Sequence, residues 1–233
     1  MNFKPVLAAV ALATVFASCQ PGGSSTAKLT NASDSTAYAL GVLIADNQKH
    51  NIEATPGASD LNMDILVAAF GKQLKGEEAQ IKAEDARQIV QAYFQNMAEK
   101  EADENAKKGE EFLAANKEKP GIVTTESGLQ YEVITEGTGP KPTIDQTVKC
   151  DYVGTTIDGT EFDSSVKRGE PATFPLKGVI PGWTEALQLM PVGSKWKLYI
   201  PGDLAYGKRG AGNDIGPNET LIFEVELHEI VEK

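Results

Sequence analysis

The chain has 233 residues, room for one large or two modest domains, and its 41% hydrophobic content suffices for at least one packed core. Its formal charge of −11 argues against a phosphate-binding surface, because nucleic-acid binders present a basic face whose contacts release counterions. DNA and RNA are therefore discounted as partners.

The first twenty residues, MNFKPVLAAVALATVFASCQ, set Lys4 ahead of an apolar run of about 12 residues that passes through small residues to Cys19. This is the pattern of a secretory signal, too short to span a bilayer. Phe16-Ala17-Ser18-Cys19 resembles the bacterial lipobox, whose cysteine is diacylated before cleavage, with Phe in place of the usual Leu. The expected arrangement is a lipoprotein signal peptide over 1–18, an acyl anchor on Cys19 and a flexible tether over 19–32. A plain signal peptide cleaved nearby is the alternative.

From about Ser33 to Lys119 the pattern is helical, with one proline. Tyr38, Leu40, Val42, Leu43 and Ile44 make one apolar stripe. Met63, Leu66, Val67, Phe70 and Leu74 make another, which Asp60 or Asn62 could cap. A third helix begins near Ala83 with Ile89, Val90, Tyr93, Phe94 and Met97 on its front, then runs into EKEADENAKKGEE, which reads as polar all round. Such a helix bridges two bodies across solvent. Three helices with that much apolar face cannot cover themselves, so a homodimer is expected through residues ~33 to 100, with the segment ~100 to 118 holding the second domain away. A self-contained helical domain is the alternative.

From residue 120 onward Gly and Pro punctuate short runs of period two. GLQYEVI alternates Leu129, Tyr131 and Val133 with Gln130 and Glu132. KWKLYI turns Trp196, Leu198 and Ile200 inward, and TLIFEVEL turns Leu221, Phe223, Val225 and Leu227 inward. Val148, Cys150 and Tyr152 alternate in the same way, so Cys150, unpaired once Cys19 is acylated, reads as a small buried hydrophobe. One helix-like segment, WTEALQLM, supplies cover through Trp183, Ala186, Leu187 and Met190. The fold class is α+β: a twisted antiparallel sheet wrapped on one short helix over residues 120–233, after an all-α dimerisation domain with a long connecting helix over 33–119.

Several chemistries lack their residues. GDLAYGKR matches a phosphate loop only as far as Lys208, because Arg209 stands where Ser or Thr would hold magnesium. His50 and His228, one in each half, are the only histidines and neither has a cluster of ligands beside it, so no metal is expected. No Gly-x-Ser-x-Gly elbow occurs. What remains is an apolar and aromatic series assigned to turns: Tyr152, Phe162, Phe174, Val179, Ile180, Trp183, Tyr206, Ile215 and Phe223. Any one of them alone reads as core.

Taken in order, YVGTTIDGTEFDSS, GVIPGWTEALQLMPVGSKWKLYIP, LAYG and IGPNETLIFEVEL resemble the FKBP family of peptidyl-prolyl cis-trans isomerases over residues 127–230. The helical half and KPGIVTTESGLQYEVITEGTG are similar to its dimeric macrophage infectivity potentiator subgroup, which extends the likeness back to about residue 34. The resemblance implies that Trp183 floors the substrate pocket. It places Tyr152, Phe162, Asp163, Trp183, Tyr206 and Phe223 in the catalytic set, and Arg168, Phe174, Val179, Ile180 and Ile215 in substrate binding. The Ile180 N–H and the Tyr206 hydroxyl would hold substrate carbonyls, Asp163 and Arg168 would form a polar pair behind the walls, and Ile215 would overhang the site. No cofactor is implied. Ala172 stands where many members carry an aromatic, LKGVI is shorter than in the single-domain eukaryotic members, and Ala211 holds a loop position that varies across the family, which together imply a wider rim.

The expected function is isomerisation of X-Pro bonds in exported polypeptides, by an enzyme lipid-anchored in the bacterial envelope, at an outer membrane facing the periplasm or the surface. The alternative is a chaperone that holds unfolded clients between the arms of the dimer.

Overall fold

The computed structural model describes residues 27–53, 55 and 57–231; the predicted signal, Cys19 and the first part of the tether lie outside them. The chain divides into two compact units at Gln48/Lys49. In the first, α1 (Ala32–Glu53, which continues past the boundary) is capped reciprocally. Asn31 Oδ1 accepts from the Asp34 N–H at 2.9 Å, and the Asp34 carboxylate accepts from the Thr30 N–H at 3.0 Å. No residue of α1 is buried, and Leu43 is 66% exposed.

The second unit opens with α2 (Met63–Leu74), capped by Asn62, whose side chain accepts from Asp64 and Ile65 N–H at 3.0 and 3.2 Å. This helix also buries nothing, and Leu74 is 70% exposed. α3 (Ala83–Asn116) is a single helix of 34 residues. Part of its front is covered: Met97 packs on Gly57 and the Tyr93 hydroxyl donates to the Gly57 carbonyl at 3.1 Å. Ile89 and Val90 remain exposed.

The second half of α3 corrects the expectation of a solvated shaft. Ala102, Gly109 and Asn116 are buried at seven-residue intervals, with Asn105 and Phe112 between them on the same face. Asn105 Nδ2 donates to the Pro217 carbonyl at 3.0 Å, Asn116 Nδ2 donates to Gln130 Oε1 at 2.9 Å, and Gln130 Nε2 donates to the Leu113 carbonyl at 2.9 Å. Phe112 lies 6.0 Å from the Tyr199 ring. The helix therefore docks on the β-rich part of its own unit. Small and amide side chains make the contact, so hydropathy did not reveal the face.

The β-rich part is one antiparallel sheet of β1 (Ile122–Thr124), β2 (Gln130–Thr135), β3 (Thr147–Thr156), β4 (Glu161–Ser164), β5 (Ala172–Pro175), β6 (Lys195–Ile200) and β7 (Leu221–Val231). Its order is β1-β2-β6-β7-β3-β4, with β5 also paired to β3. Alternation along β3, β6 and β7 matches the sequence reading: Val148, Cys150, Tyr152, Trp196, Leu198, Ile200 and the inward residues of β7 are all buried. Tyr199, on the opposite face of β6, is buried too, under α3. A one-turn helix, α4 (Ser165–Arg168), was not expected; it is capped by Ser164, whose Oγ accepts from the Lys167 N–H at 3.2 Å. α5 (Pro181–Leu189) starts with proline at its first position and lies close on the sheet, where a Cβ on Gly182 would meet Ile200 at 2.5 Å.

Candidate active site

The aromatic series is carried mostly by strands rather than turns. Tyr152 is on β3, Phe162 on β4, Phe174 on β5 and Phe223 on β7; Tyr152, Phe174 and Phe223 reach Trp183 of the one covering helix, and Phe162 packs on Phe223. Trp183, at the first turn of α5, is 3% exposed. Three rings stand edge-on to its indole: Tyr152 at 5.2 Å and 89°, Phe174 at 5.5 Å and 85°, Phe223 at 5.3 Å and 80°. Phe162 meets Phe223 edge-on at 5.5 Å. These are the preferred arrangements of aromatic quadrupoles, each worth about 0.5–1.5 kcal/mol beyond area burial. The indole Nε1 is buried without a hydrogen-bond partner among the described residues.

Around this nest Val179 and Ile180 are half-buried. Ile180 is the residue before α5; its carbonyl accepts from Trp183 and Thr184 N–H, both at 3.0 Å, while its own N–H has no acceptor among the described residues. Tyr206 is 41% exposed and its hydroxyl has no partner among the described residues. Burial, and then the charge of Asp163, push the Tyr206 phenol up, so it is a neutral donor at physiological pH. Ile215 is 8% exposed and belongs to the same packed cluster as Tyr152, Trp183 and Phe223, with its N–H and carbonyl exchanged with Ala211 at 3.2 and 2.9 Å, which ties its loop down.

Asp163 and Arg168 come together on Tyr152. The Tyr152 hydroxyl and the Arg168 guanidinium both donate to the Asp163 carboxylate, and the guanidinium also donates to the Tyr152 oxygen at 2.8 Å while lying 5.4 Å above its ring. Burial pushes the Asp163 carboxyl up, but the hydrogen bonds from Tyr152 and Arg168 and the guanidinium charge prevail and hold it below the usual carboxylate range. Burial, then the bond to Asp163, push the Tyr152 phenol up. The group is thus an ionised carboxylate holding a neutral phenol in place.

Gly154 was missed by the sequence reading. A Cβ there would meet Phe162 at 2.7 Å and Phe223 at 2.8 Å, so two wall rings rest on its backbone. A glycine interrupting an alternating strand was the available signal. Among the described residues, one cavity of about 390 Å³ lies between α3 and the β3–β4 turn and another of about 530 Å³ along the outer side of α5, where it includes Val179; Trp183 lines neither. Among the described residues no group of three or more His, Cys, Asp or Glu could hold a metal ion.

Residues 139–228 match the model of the FKBP-type peptidyl-prolyl cis-trans isomerases, and residues 33–133 match that of the domain amino-terminal to them. The chain is 42% identical to the outer membrane protein MIP of Legionella longbeachae over 97% of each chain. The chain belongs to the FKBP-type peptidyl-prolyl cis-trans isomerases. A second relative, the isomerase FkpA of Aeromonas hydrophila, is 55% identical over 65% of this chain and 59% of its own. The crystal structure of FkpA from Escherichia coli superposes with a TM-score of 0.66 at 37% identity, covering 86% of this chain and 97% of that one. Membership makes this protein a prolyl isomerase, with the α+β fold of the family preceded by its helical domain.

Proposed function

We propose that X-Pro isomerisation takes place over the indole of Trp183, with Tyr152, Phe162, Phe174, Val179 and Phe223 as walls and the Ile180 N–H and Tyr206 hydroxyl as donors to substrate carbonyls. The observation that carries this reading is that three rings stand edge-on to one buried indole, with the unengaged Ile180 N–H three residues before it in the chain and the Tyr206 hydroxyl also unengaged among the described residues. Such a site needs no nucleophile. The imide C–N bond has partial double-bond character and a barrier of about 18–20 kcal/mol. The planar imide separates charge and the twisted transition state loses that separation, so water favours the former and an apolar hollow favours the latter by comparison. About 4 kcal/mol of such preference accelerates the reaction about a thousandfold. The Asp163–Arg168 pair supplies rigidity, fixing the Tyr152 ring against the indole.

The test is a protease-coupled assay on a proline tetrapeptide with Trp183→Ala, Tyr206→Phe and Asp163→Ala. Losses of turnover in folded variants support the assignment; unchanged turnover in all three removes it.

Exported polypeptides are the proposed substrates, with the enzyme held in the bacterial cell envelope by an acyl chain on Cys19. The apolar run before Cys19 and the relative named an outer membrane protein support this. Chains emerging unfolded populate cis X-Pro bonds that take tens of seconds to correct unaided. Fatty-acid labelling of wild type against Cys19→Ser tests the anchor. Homodimerisation through the helical domain is supported by the apolar residues that α1 and α2 leave uncovered, Leu43, Ile65, Val67 and Leu74 among them. Sedimentation tests it, and a monomer at micromolar concentration sinks it. The holding-chaperone alternative has no observation of its own in its favour.

A further inference from the structure

β3 changes partner in its middle. It pairs with β5 as far as Cys150 and with β4 from Val153, which leaves the Tyr152 N–H on that edge without a strand to donate to. Ser165, fully buried at the start of α4, fills the gap: its Oγ accepts that N–H at 2.8 Å and donates to Asp151 Oδ1 at 2.8 Å. The other carboxylate oxygen of Asp151 lies 2.8 Å from His228 Nε2.

His228 owes its aim to an irregularity in β7. Leu227 pairs with Cys150 and Glu229 with Lys149, so His228 is the extra residue of a bulge, a device by which sheets redirect a side chain. Its ring sits near two carboxylates that face each other across the strands, Asp151 and Glu226, the latter 3.9 Å from Nδ1. Lys149, the remaining charge acting on Asp151, is itself paired with Glu229 at 3.3 Å.

α4 is therefore pinned twice to one residue. Ser165 holds the backbone of Tyr152, and Arg168, one turn later, holds its hydroxyl and Asp163. We propose that Ser165, Asp151 and His228 form a positioning chain for the isomerase site, setting α4 so that Arg168 and Asp163 keep the Tyr152 ring against Trp183. None of the three touches substrate. The inference rests on the proposed membership of Tyr152, Asp163 and Arg168 in the site.

The experiment is a double-mutant cycle in the full chain, read as kcat/KM on a proline tetrapeptide. Ser165→Ala is expected to lower kcat/KM about fivefold, the equivalent of one ordinary hydrogen bond. Added to Arg168→Ala it should cost little more, because the chain acts through that guanidinium. His228→Leu, at a partly exposed position, should reproduce the loss, and His228→Gln should restore it, since an amide can donate to Asp151. If Ser165→Ala does not fold, the His228 variants run the same cycle. Losses that multiply in full with Arg168→Ala, or no rescue by His228→Gln, mark a purely structural role and overturn the proposal. Should Arg168→Ala itself leave turnover unchanged, the site assignment fails and the chain with it. Should it lower turnover while Ser165→Ala and His228→Leu do not, the chain alone fails.

Discussion

Replacing Gly154 with alanine tests whether the aromatic wall is rigid. Gly154 lies within β3, opposite Asp163 on β4 and Phe223 on β7. A methyl group there would stand 2.7 Å from Phe162 and 2.8 Å from Phe223. Carbon atoms pack best at about 3.5–4.0 Å, so each ring has to withdraw by about 1 Å. The backbone itself admits alanine, since Gly154 is not among the residues with positive φ. On propensity alone the change would stabilise the strand by about 0.5–1 kcal/mol. Overpacking costs about 1–3 kcal/mol, and the rings have little room to retreat, because Phe223 already stands 5.3 Å from Trp183. The expected net effect is a loss of about 1–2 kcal/mol of stability. Turnover should fall further, by about ten- to a hundredfold, because a shift of about 1 Å in a positioned site has that cost. Urea denaturation measures the first quantity and protease-coupled proline-peptide turnover the second. A Gly154→Ala protein that is both more stable and fully active would show the wall to be soft, and the proposed pocket would not survive that result.

The docking of α3 carries its own prediction. A Cβ on Gly109 would meet Thr220 Oγ1 at 2.2 Å, so Gly109→Val should lower the urea midpoint, whereas on a solvated shaft it would raise helix stability by a few tenths of a kcal/mol. Cys150 is fully buried and burial, followed by the charge of Asp151, pushes its thiol up to about 12. Roughly one molecule in ten thousand would carry a thiolate at pH 8, so native protein should resist iodoacetamide and label fully in urea. The Asp163 carboxyl is held below its ordinary value, so its contribution is present above about pH 4 and is lost as pH falls through the lower folded value. Asp163→Asn should flatten that part of the acid-unfolding curve, and an unchanged curve would refute the pairing. Leu43→Glu and Val67→Glu place charge on exposed apolar faces; if these faces make the dimer, sedimentation should find both variants monomeric with prolyl isomerase activity intact.

Periodicity alone determined a great deal here. The helical first half, the inward residues of β3, β6 and β7 and the covering face of α5 follow from spacings of two and 3.6, because burying one side of a strand or helix demands them; for the cap of α2 the sequence offered Asp60 or Asn62, and the structure uses Asn62. Order along the chain carried the likeness to the prolyl isomerases and with it the proposed place of Trp183 in the site. Three things only the tertiary structure decided. The contact face of α3 uses Ala102, Asn105, Gly109 and Asn116, residues that register as polar or neutral because they pack by closeness and amide hydrogen bonds rather than by apolar area. Ile215 is core because a pair of backbone hydrogen bonds to Ala211 folds its loop inward. The convergence of Ser165, Asp151 and His228 depends on a bulge and a change of strand partner. Pattern reads what one element must bury; it is blind to contacts made by polar groups between elements distant in the chain, whose geometry exists only after the sheet has closed.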